Sequence, residues 1–520
     1  MPPSHGAEFK DNNDLEADHT QHEAKSYVVN SSLPPALGSQ ERILAERMLV
    51  RKLDFRLLPA IVAIYILNYI DAWMTTARLQ GFEQDLRSSR SFGQVHLQYS
   101  VVLSILYVVY APAQIPSNMI LNKITRPSIY IGACVIAWGL TSTLTGITTN
   151  YGGILACRIF LAIPEAAFYP GAVYLLSCWY TKRELTLRTS ILYAGLIFSN
   201  AFGSLVAAGI FSGMEGVRGI RAWRWLFLIE GSITMSLGFI VMWILPDYPY
   251  NTRWMTPSER RLAQTRIAED AGEADRDTAD DSSFRGLQMA VQDPLVILFA
   301  LAGLCQLLGN SFGQFFPTLA ATLGFNTTVT LLLASAPWVL AGILCCVNAW
   351  HADKTGERFF HIAGWWWVVM VGLIVSLSTM STPPRYLAMF LMACGSSAVA
   401  MFVPWVANAV PRPPAKRAAA IAIVNGISNL GTCIGSFTWK ALWGPRYHWS
   451  MIISLGSLTI STGVLIVIRQ ILVQKNKQLE SQESTALATI NTVRVEDAAI
   501  LEGITLEEAM ERRRGFRYLY

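Results

Sequence analysis

The chain has 520 residues, of which 52% are hydrophobic and 15% charged, with 16 Trp and a mean hydropathy of +0.36. An ordinary soluble domain carries roughly 25% charged residues, so the deficit points to lipid and excludes a collagen, a disordered chain and a disulfide-stapled mini-protein. A net charge of +5 is small for this length and argues against a nucleic-acid-coating protein, so no nucleic-acid partner is expected.

A helix needs about 20 apolar residues to cross a bilayer. Residues 1–53 read as a polar N-terminal tail without the apolar core of a signal peptide, ending in a short amphipathic helix near Ser39–Leu53. Twelve apolar runs follow, at 56–76, 95–116, 128–148, 153–176, 188–211, 224–245, 294–317, 330–350, 362–380, 386–408, 418–440 and 449–472. Six fall in 54–245 and six in 294–472. Between them, 246–293 contains the mixed-charge stretch RIAEDAGEADRDTADDSS and reads as a linker; 473–520 reads as a second polar tail with helical fragments such as LEEAMERRR. Equal run numbers and similar lengths suggest duplication of a six-helix unit. The expected fold class is an all-α membrane protein with twelve transmembrane helices in two six-helix bundles.

Lys and Arg in the short loops and flanking segments give the orientation. Counted with the N-terminus inside, 24 fall on the inner side and 9 on the outer, so both tails and the linker are expected to be cytoplasmic, in a multi-pass protein of the plasma membrane. Of two N-x-S/T sequons, Asn30 lies in the inner tail and Asn326 in an outer loop, so Asn326 is the expected glycosylation site. The eight Cys show no C-x-x-C or Cys/His spacing and read as small apolar packers. No metal or cofactor is expected.

An ionisable side chain within a span costs roughly 2.5–3.5 kcal/mol and is a functional candidate by default. Asp71, Arg158 and Glu165 stand out. Arg158 and Glu165 are two turns apart on one face of the fourth run, and Asp71 lies at a depth that allows an ion pair with Arg158. For Arg158, a fork that grips a substrate carboxylate competes with a permanent pair to Asp71. Glu165, and with it Asp71, can carry a coupling proton, or they can hydrogen-bond helices together. Glu230 reads as a structural partner of a neighbouring Arg. The second half offers amides and aromatics, among them Gln306, Asn310, Gln314, Trp338, Trp405, Asn408, Asn425 and Asn429, which either line a polar cavity or bond helix to helix. No GxSxG, Walker loop or HExxH is present, so an enzyme and an ATP-driven pump are not expected.

The loop AWHADKTGERFFH (349–361) resembles the GxLaDRxGRR motif of the major facilitator superfamily, with Asp353, Lys354, Gly356 and Arg358 in place and Ala349 and Glu357 departing from it. The corresponding loop in the first half, NMILNKITRPS, has Asn122 for the Asp and Thr125 for the Gly. RIFLAIPEAAFYPGAVYLLSCWYTKRE (158–184), WRWLFLIEG (223–231), LPDYP (245–249), IPSNMI (115–120), ARLQGFEQDL (77–86) and PWVANAVPRPPAKRAAAIAIVNGISNLGTCIG (404–435) together resemble the anion:cation symporter branch, over roughly residues 50–475. That branch includes fungal permeases for allantoate, pantothenate, nicotinate and phthalate-like acids. Its first span usually carries an Asp-Arg pair; here Asp71 is kept and the Arg is Ala72.

The resemblance implies a major facilitator fold and a secondary transporter, working by alternating access, that moves a small organic anion with protons across the bilayer. The chain is taken as a monomer. Arg158, Gln306, Asn310, Trp405, Asn408 and Asn425 are the substrate-binding candidates, Glu165 and Asp71 the proton-coupling candidates, and Asp353, Lys354, Gly356 and Arg358 the gating loop. The alternatives are export of an acidic secondary metabolite, for which the departing first span leaves room, and a non-transporting nutrient sensor of the same fold.

Overall fold

A computed structural model describes residues 39–87, 92–148, 150–214, 216–271, 283–325, 327–440, 443–485 and 517–520. Asp71 falls where only the backbone is described, and Asn326 lies outside the described residues. Helix is the only regular structure among the described residues, with no strand. In chain order the helices are α1 Gln40–Arg87, α2 Phe92–Lys123, α3 Pro127–Thr145, α4 Tyr151–Glu165, α5 Phe168–Trp179, α6 Lys182–Met214, α7 Ala222–Ile244, α8 Pro257–Ala271, α9 Ser283–Gln292, α10 Pro294–Gly309, α11 Phe316–Ala321, α12 Thr327–Thr355, α13 Phe359–Ser378, α14 Thr382–Ala393, α15 Ser396–Ala409, α16 Pro414–Ser436 and α17 His448–Thr485.

Each apolar run overlaps one of these helices or a pair of them. Among the described residues, nine segments are long and apolar enough to cross a membrane. The runs at 56–76, 95–116 and 188–211 lie in α1, α2 and α6, outside those nine. Two runs are built from consecutive helices: α4 and α5 meet at Ala166–Ala167, and α14 and α15 at Cys394–Gly395. The bonds tighten there to the three-residue type, Ala167 N–H to the Pro164 carbonyl at 3.3 Å and Gly395 N–H to the Met392 carbonyl at 3.1 Å. Such a stretch inside a long helix is a common hinge, and it falls at matching places in the two halves. The seventh run is interrupted as well, by the 3-10 turn Ser311–Phe315 between α10 and α11.

Without a hydrophobic drive between helices in lipid, close packing holds them together. α3 and α7 show this in their spacing: Gly132 and Gly139 face Gly238 and Gly231, each pair seven residues apart. A Cβ on Gly139 would stand 2.9 Å from the Gly231 carbonyl oxygen, and one on Gly238 would stand 3.1 Å from that of Gly132. Between the halves, α2 packs on α16 and α6 on α12.

The segment 246–293, expected as a plain linker, carries α8 and α9, and both are docked. Lys52 of α1 pairs with Glu259 at 2.8 Å, Arg42 with Glu269 at 2.5 Å, and Arg266 with Glu184 of α6 at 2.9 Å. Trp254, just before α8, lies under the Arg56 guanidinium at 4.4 Å. On the other side, Lys416 of α16 pairs with Asp293 at 2.6 Å. These ion pairs escaped the sequence pattern because they join residues far apart in the chain. We call the end of the molecule that carries them the linker face.

Gly139→Leu is expected to destabilise the folded protein by about 1–3 kcal/mol, the usual cost of overpacking. The unfolding midpoint in detergent measures it against Gly364→Ala, whose added methyl meets nothing within 4 Å; equal midpoints for the two variants would contradict the close crossing.

Candidate functional site

Arg158 and Glu165 are both carried by α4, which Asn150 starts by accepting the Gly153 N–H at 2.7 Å. Pro164 sits just before its end, and Glu165 is its last residue. Arg158 is 4% exposed, buried at membrane depth. Asn68 of α1, itself buried, donates from Nδ2 to Glu165 Oε1 at 2.7 Å. Tyr107 of α2 stands within electrostatic reach of both Arg158 and Glu165. Its hydroxyl accepts from Gln314 Nε2 at 3.5 Å, across the boundary between the halves. Gln314 Oε1 in turn accepts the Ser436 hydroxyl of α16 at 3.0 Å. The structure thus brings Arg158 and Glu165 together with Asn68, Tyr107 and Gln314. Sequence reasoning weighed Gln314 only as one amide among several and missed Asn68 and Tyr107. The sole signal for them was a polar residue inside an apolar run.

The other candidates divide by depth. Gln306 is 1% exposed, and its amide oxygen has no hydrogen-bond partner among the described residues. Asn310 ends α10, donating from Nδ2 to the Gln306 carbonyl at 2.9 Å. Asn425 donates to Gln114 Oε1 of α2 at 2.9 Å, a bond between the halves. Asn408 reaches the Lys182 carbonyl at 3.5 Å. Trp405 is fully buried, edge-on to Phe299 with centroids 5.1 Å apart, and its Nε1 donates to the Leu519 carbonyl at 3.0 Å. Asn408 and Trp405 therefore face the linker face rather than the Arg158 group.

There the gating-loop residues do converge. Arg358 is buried completely and donates from Nη2 to Asp353 Oδ1 at 2.7 Å and to the Lys182 carbonyl at 2.8 Å. Asp353 Oδ2 accepts the Leu187 N–H, in the second turn of α6, at 2.7 Å. An acid and a base of one half thus grip the head of a helix in the other. Gly356 supplies the turn at φ +74, and the Lys354 amine lies over Trp350 at 5.4 Å. Glu357, the departure from the motif, accepts the Phe360 N–H at 3.0 Å at the start of α13 and pairs with His361 at 2.9 Å. Burial pushes the Lys182 amine down to about 8, against the pull of Asp270.

The first-half copy is built differently. Asn122 accepts the Tyr174 hydroxyl within its own half. Arg417, heading α16, lies over the Tyr174 ring at 5.4 Å and donates to Cys178 Sγ at 3.3 Å. Nearby, Asn118 donates to the Ala418 carbonyl at 3.1 Å. One side of the seam is therefore ionic and the other relies on a cation over an aromatic ring. These contacts join the halves over the part of α2 and α16 nearest the linker face.

Residues 61–436 match the profile described as Major Facilitator Superfamily. The chain belongs to that superfamily. It is 31% identical over 451 residues to the MFS-type transporter cnsO of Penicillium expansum, covering 84% of this chain and 85% of that protein. It is 30% identical over 394 residues to a protein of Agrobacterium vitis named putative tartrate transporter, covering 75% and 84%. The solved structure of the proton:xylose symporter XylE superimposes with a TM-score of 0.60 at 16% identity, over 78% of this chain and 94% of that one. Superfamily membership and the apolar helices make this a multi-pass membrane protein of a transporter family, and the helical segments fit the superfamily's fold.

Arg358→Ala leaves the buried Asp353 without its cation, at a cost of about 3–5 kcal/mol. The double variant Asp353→Ala, Arg358→Ala removes both charges and should be distinctly less destabilised than the two single effects summed. Thermal midpoints of the four proteins in detergent test this; simple additivity would mean that the two residues do not act as a pair.

Proposed function

We propose that this chain is a proton-coupled secondary transporter that carries a small organic anion across the plasma membrane, of the kind handled by the anion:cation symporter branch. Arg158 holds the substrate carboxylate and Glu165 carries the proton. The observation that supports this most is the group at membrane depth, a buried guanidinium two turns from a carboxylate, with Asn68 and Tyr107 from neighbouring helices and Gln314 from the other half. A charge is retained in a span at considerable cost, and a planar guanidinium matches a carboxylate in two parallel hydrogen bonds. Tartrate, which names one relative, is a small dicarboxylate of this class.

Glu165 is suited to coupling because its carboxylate accepts the Asn68 amide of another helix, α1. Protonation weakens that bond and loosens α1 from α4 beside the tightened turn at Ala166–Ala167, so proton binding is felt at a hinge. Asp71, one turn beyond Asn68 on α1, is the second candidate for the same proton. Gln306, with its buried unpartnered oxygen, and Asn310 supply hydrogen-bonding groups from the second half. Asn425 and Asn408 enter as seam residues that release when the halves rock about the site. The Lys and Arg bias makes the linker face cytoplasmic, so the joined seam closes the cytoplasmic side while the site is open to the outside.

Uptake of labelled tartrate and of a panel of mono- and dicarboxylates into proteoliposomes tests this. Arg158→Ala should lose uptake at least tenfold, a loss of about 1.4 kcal/mol or more. Glu165→Gln should retain counterflow exchange and lose accumulation driven by a pH gradient. Full uptake in Arg158→Ala, or accumulation that survives an uncoupler, would sink the mechanism. For sidedness, Asn326→Gln should abolish glycan-dependent mobility in eukaryotic membranes, whereas a glycan on Asn30 would invert the orientation.

A further inference from the structure

Residues Arg517–Tyr520 lie against the linker face of the second half, and their backbone is read residue by residue. Asn476 of α17, 7% exposed, clamps Tyr518 from both sides. Its Nδ2 donates to the Tyr518 carbonyl and its Oδ1 accepts the Tyr518 N–H, each at 2.9 Å. Trp405 Nε1 of α15 donates to the Leu519 carbonyl at 3.0 Å. The Arg358 N–H donates to the Tyr520 carbonyl at 2.9 Å. Three consecutive carbonyls thus meet three donors from three separate parts of the fold. Nonspecific collapse of an apolar tail would not need to satisfy each of them.

The side chains add to this. The Arg469 guanidinium lies over Phe359, Phe360 and Tyr520 at 5.6, 5.4 and 5.7 Å. Lys475 lies over the Tyr518 ring at 5.8 Å, and Arg517 approaches Glu480 at 3.6 Å. Leu519 Cδ2 stands 3.6 Å from where a Gly356 Cβ would project. The segment therefore abuts the turn of the gating loop and bonds to the backbone of Arg358, whose guanidinium crosses to the other half.

We propose that the linker face of the second half carries a peptide-docking cleft, formed by α13, α15, α17 and the gating loop, whose occupant is this chain's own segment Arg517–Tyr520. The docked segment holds the loop in the conformation that joins the two halves. The contacts named above are to the second half, so it acts by preorganising the loop. It biases the transporter only so far as it binds the joined state better than the separated one. Released, the loop keeps its ion pair but loses the backbone support at Arg358, and the seam opens more readily. This holds whatever solute is carried.

Two cysteines buried in the seam report on it. Cys178 accepts from Arg417, and the Cys345 thiol donates to the Ser190 carbonyl of α6 at 3.8 Å. With the other six cysteines replaced by Ala, labelling of these two by a membrane-permeant maleimide measures seam opening in proteoliposomes. Four proteins are compared: the full chain, a chain ending at residue 516, Asn476→Ala, and the truncation combined with Asn476→Ala. Truncation and Asn476→Ala should each speed labelling at least about fivefold, the lower end of usual coupling between sites, and the combination should add nothing. A synthetic peptide of residues 511–520 added to the truncated chain should restore slow labelling, and the same peptide with Tyr518→Ala and Tyr520→Ala should not. Unchanged labelling on truncation, additive effects, or an acceleration that the peptide does not reverse would overturn the proposal.

Discussion

The structure depends on the placing of charge in a molecule surrounded by lipid. Water cannot rescue an unpaired ion there, so each buried charge needs a partner inside the protein. The clearest case is Arg358, fully buried between Asp353 and the Lys182 carbonyl. Its two bonds differ in reach: one closes the loop of its own half and the other crosses to the other half. A single guanidinium with its fixed fork of donors thereby makes the fold of the gating loop and the joining of the halves one event.

The loops at 349–361 and 118–128 occupy corresponding places in the chain, and their contacts differ. In the second half the carboxylate of Asp353 takes a charge-assisted bond from the Leu187 N–H of α6. In the first half Asn122 has no charge to offer a helix head and pairs with Tyr174 instead, leaving Arg417 to cross the seam over an aromatic ring. The ionic side has a steep dependence on distance and desolvation, whereas the aromatic side tolerates sliding. The loop at 349–361, against which residues 517–520 and α13 are packed, lies on the ionic side. The tightened turns at Ala166–Ala167 and Cys394–Gly395 lie away from these contacts, the first of them next to Glu165.

A membrane transporter is easy to read from sequence in its architecture and hard to read in its site. All twelve apolar runs fall on helices, because a span must be apolar for about 20 residues whatever surrounds it. Arg158 and Glu165 were visible for the same reason: a charge within such a run persists only where a partner or a task repays its desolvation. Asn68 and Tyr107 were not, since an amide or a phenol is tolerated in a span for many purposes. Trp405 and Asn408 show the reverse error of scale. They look like cavity residues by type, but lie far enough toward the linker face to contact Leu519 and Lys182 instead. The residues of α8 lacked an apolar stripe, so that helix could not be seen: it is held by ion pairs to Arg42, Lys52 and Glu184, which are close only after folding.

By itself the sequence determined the order and extent of the apolar segments and the two charges within them, because these follow from the local cost of putting a residue in lipid. Only the tertiary structure decided which partner each charge takes, that the linker is folded against both halves, and that residues 517–520 return to the gating loop. Those are contacts between residues up to hundreds of positions apart, and their energy depends on distance and desolvation that no local pattern encodes.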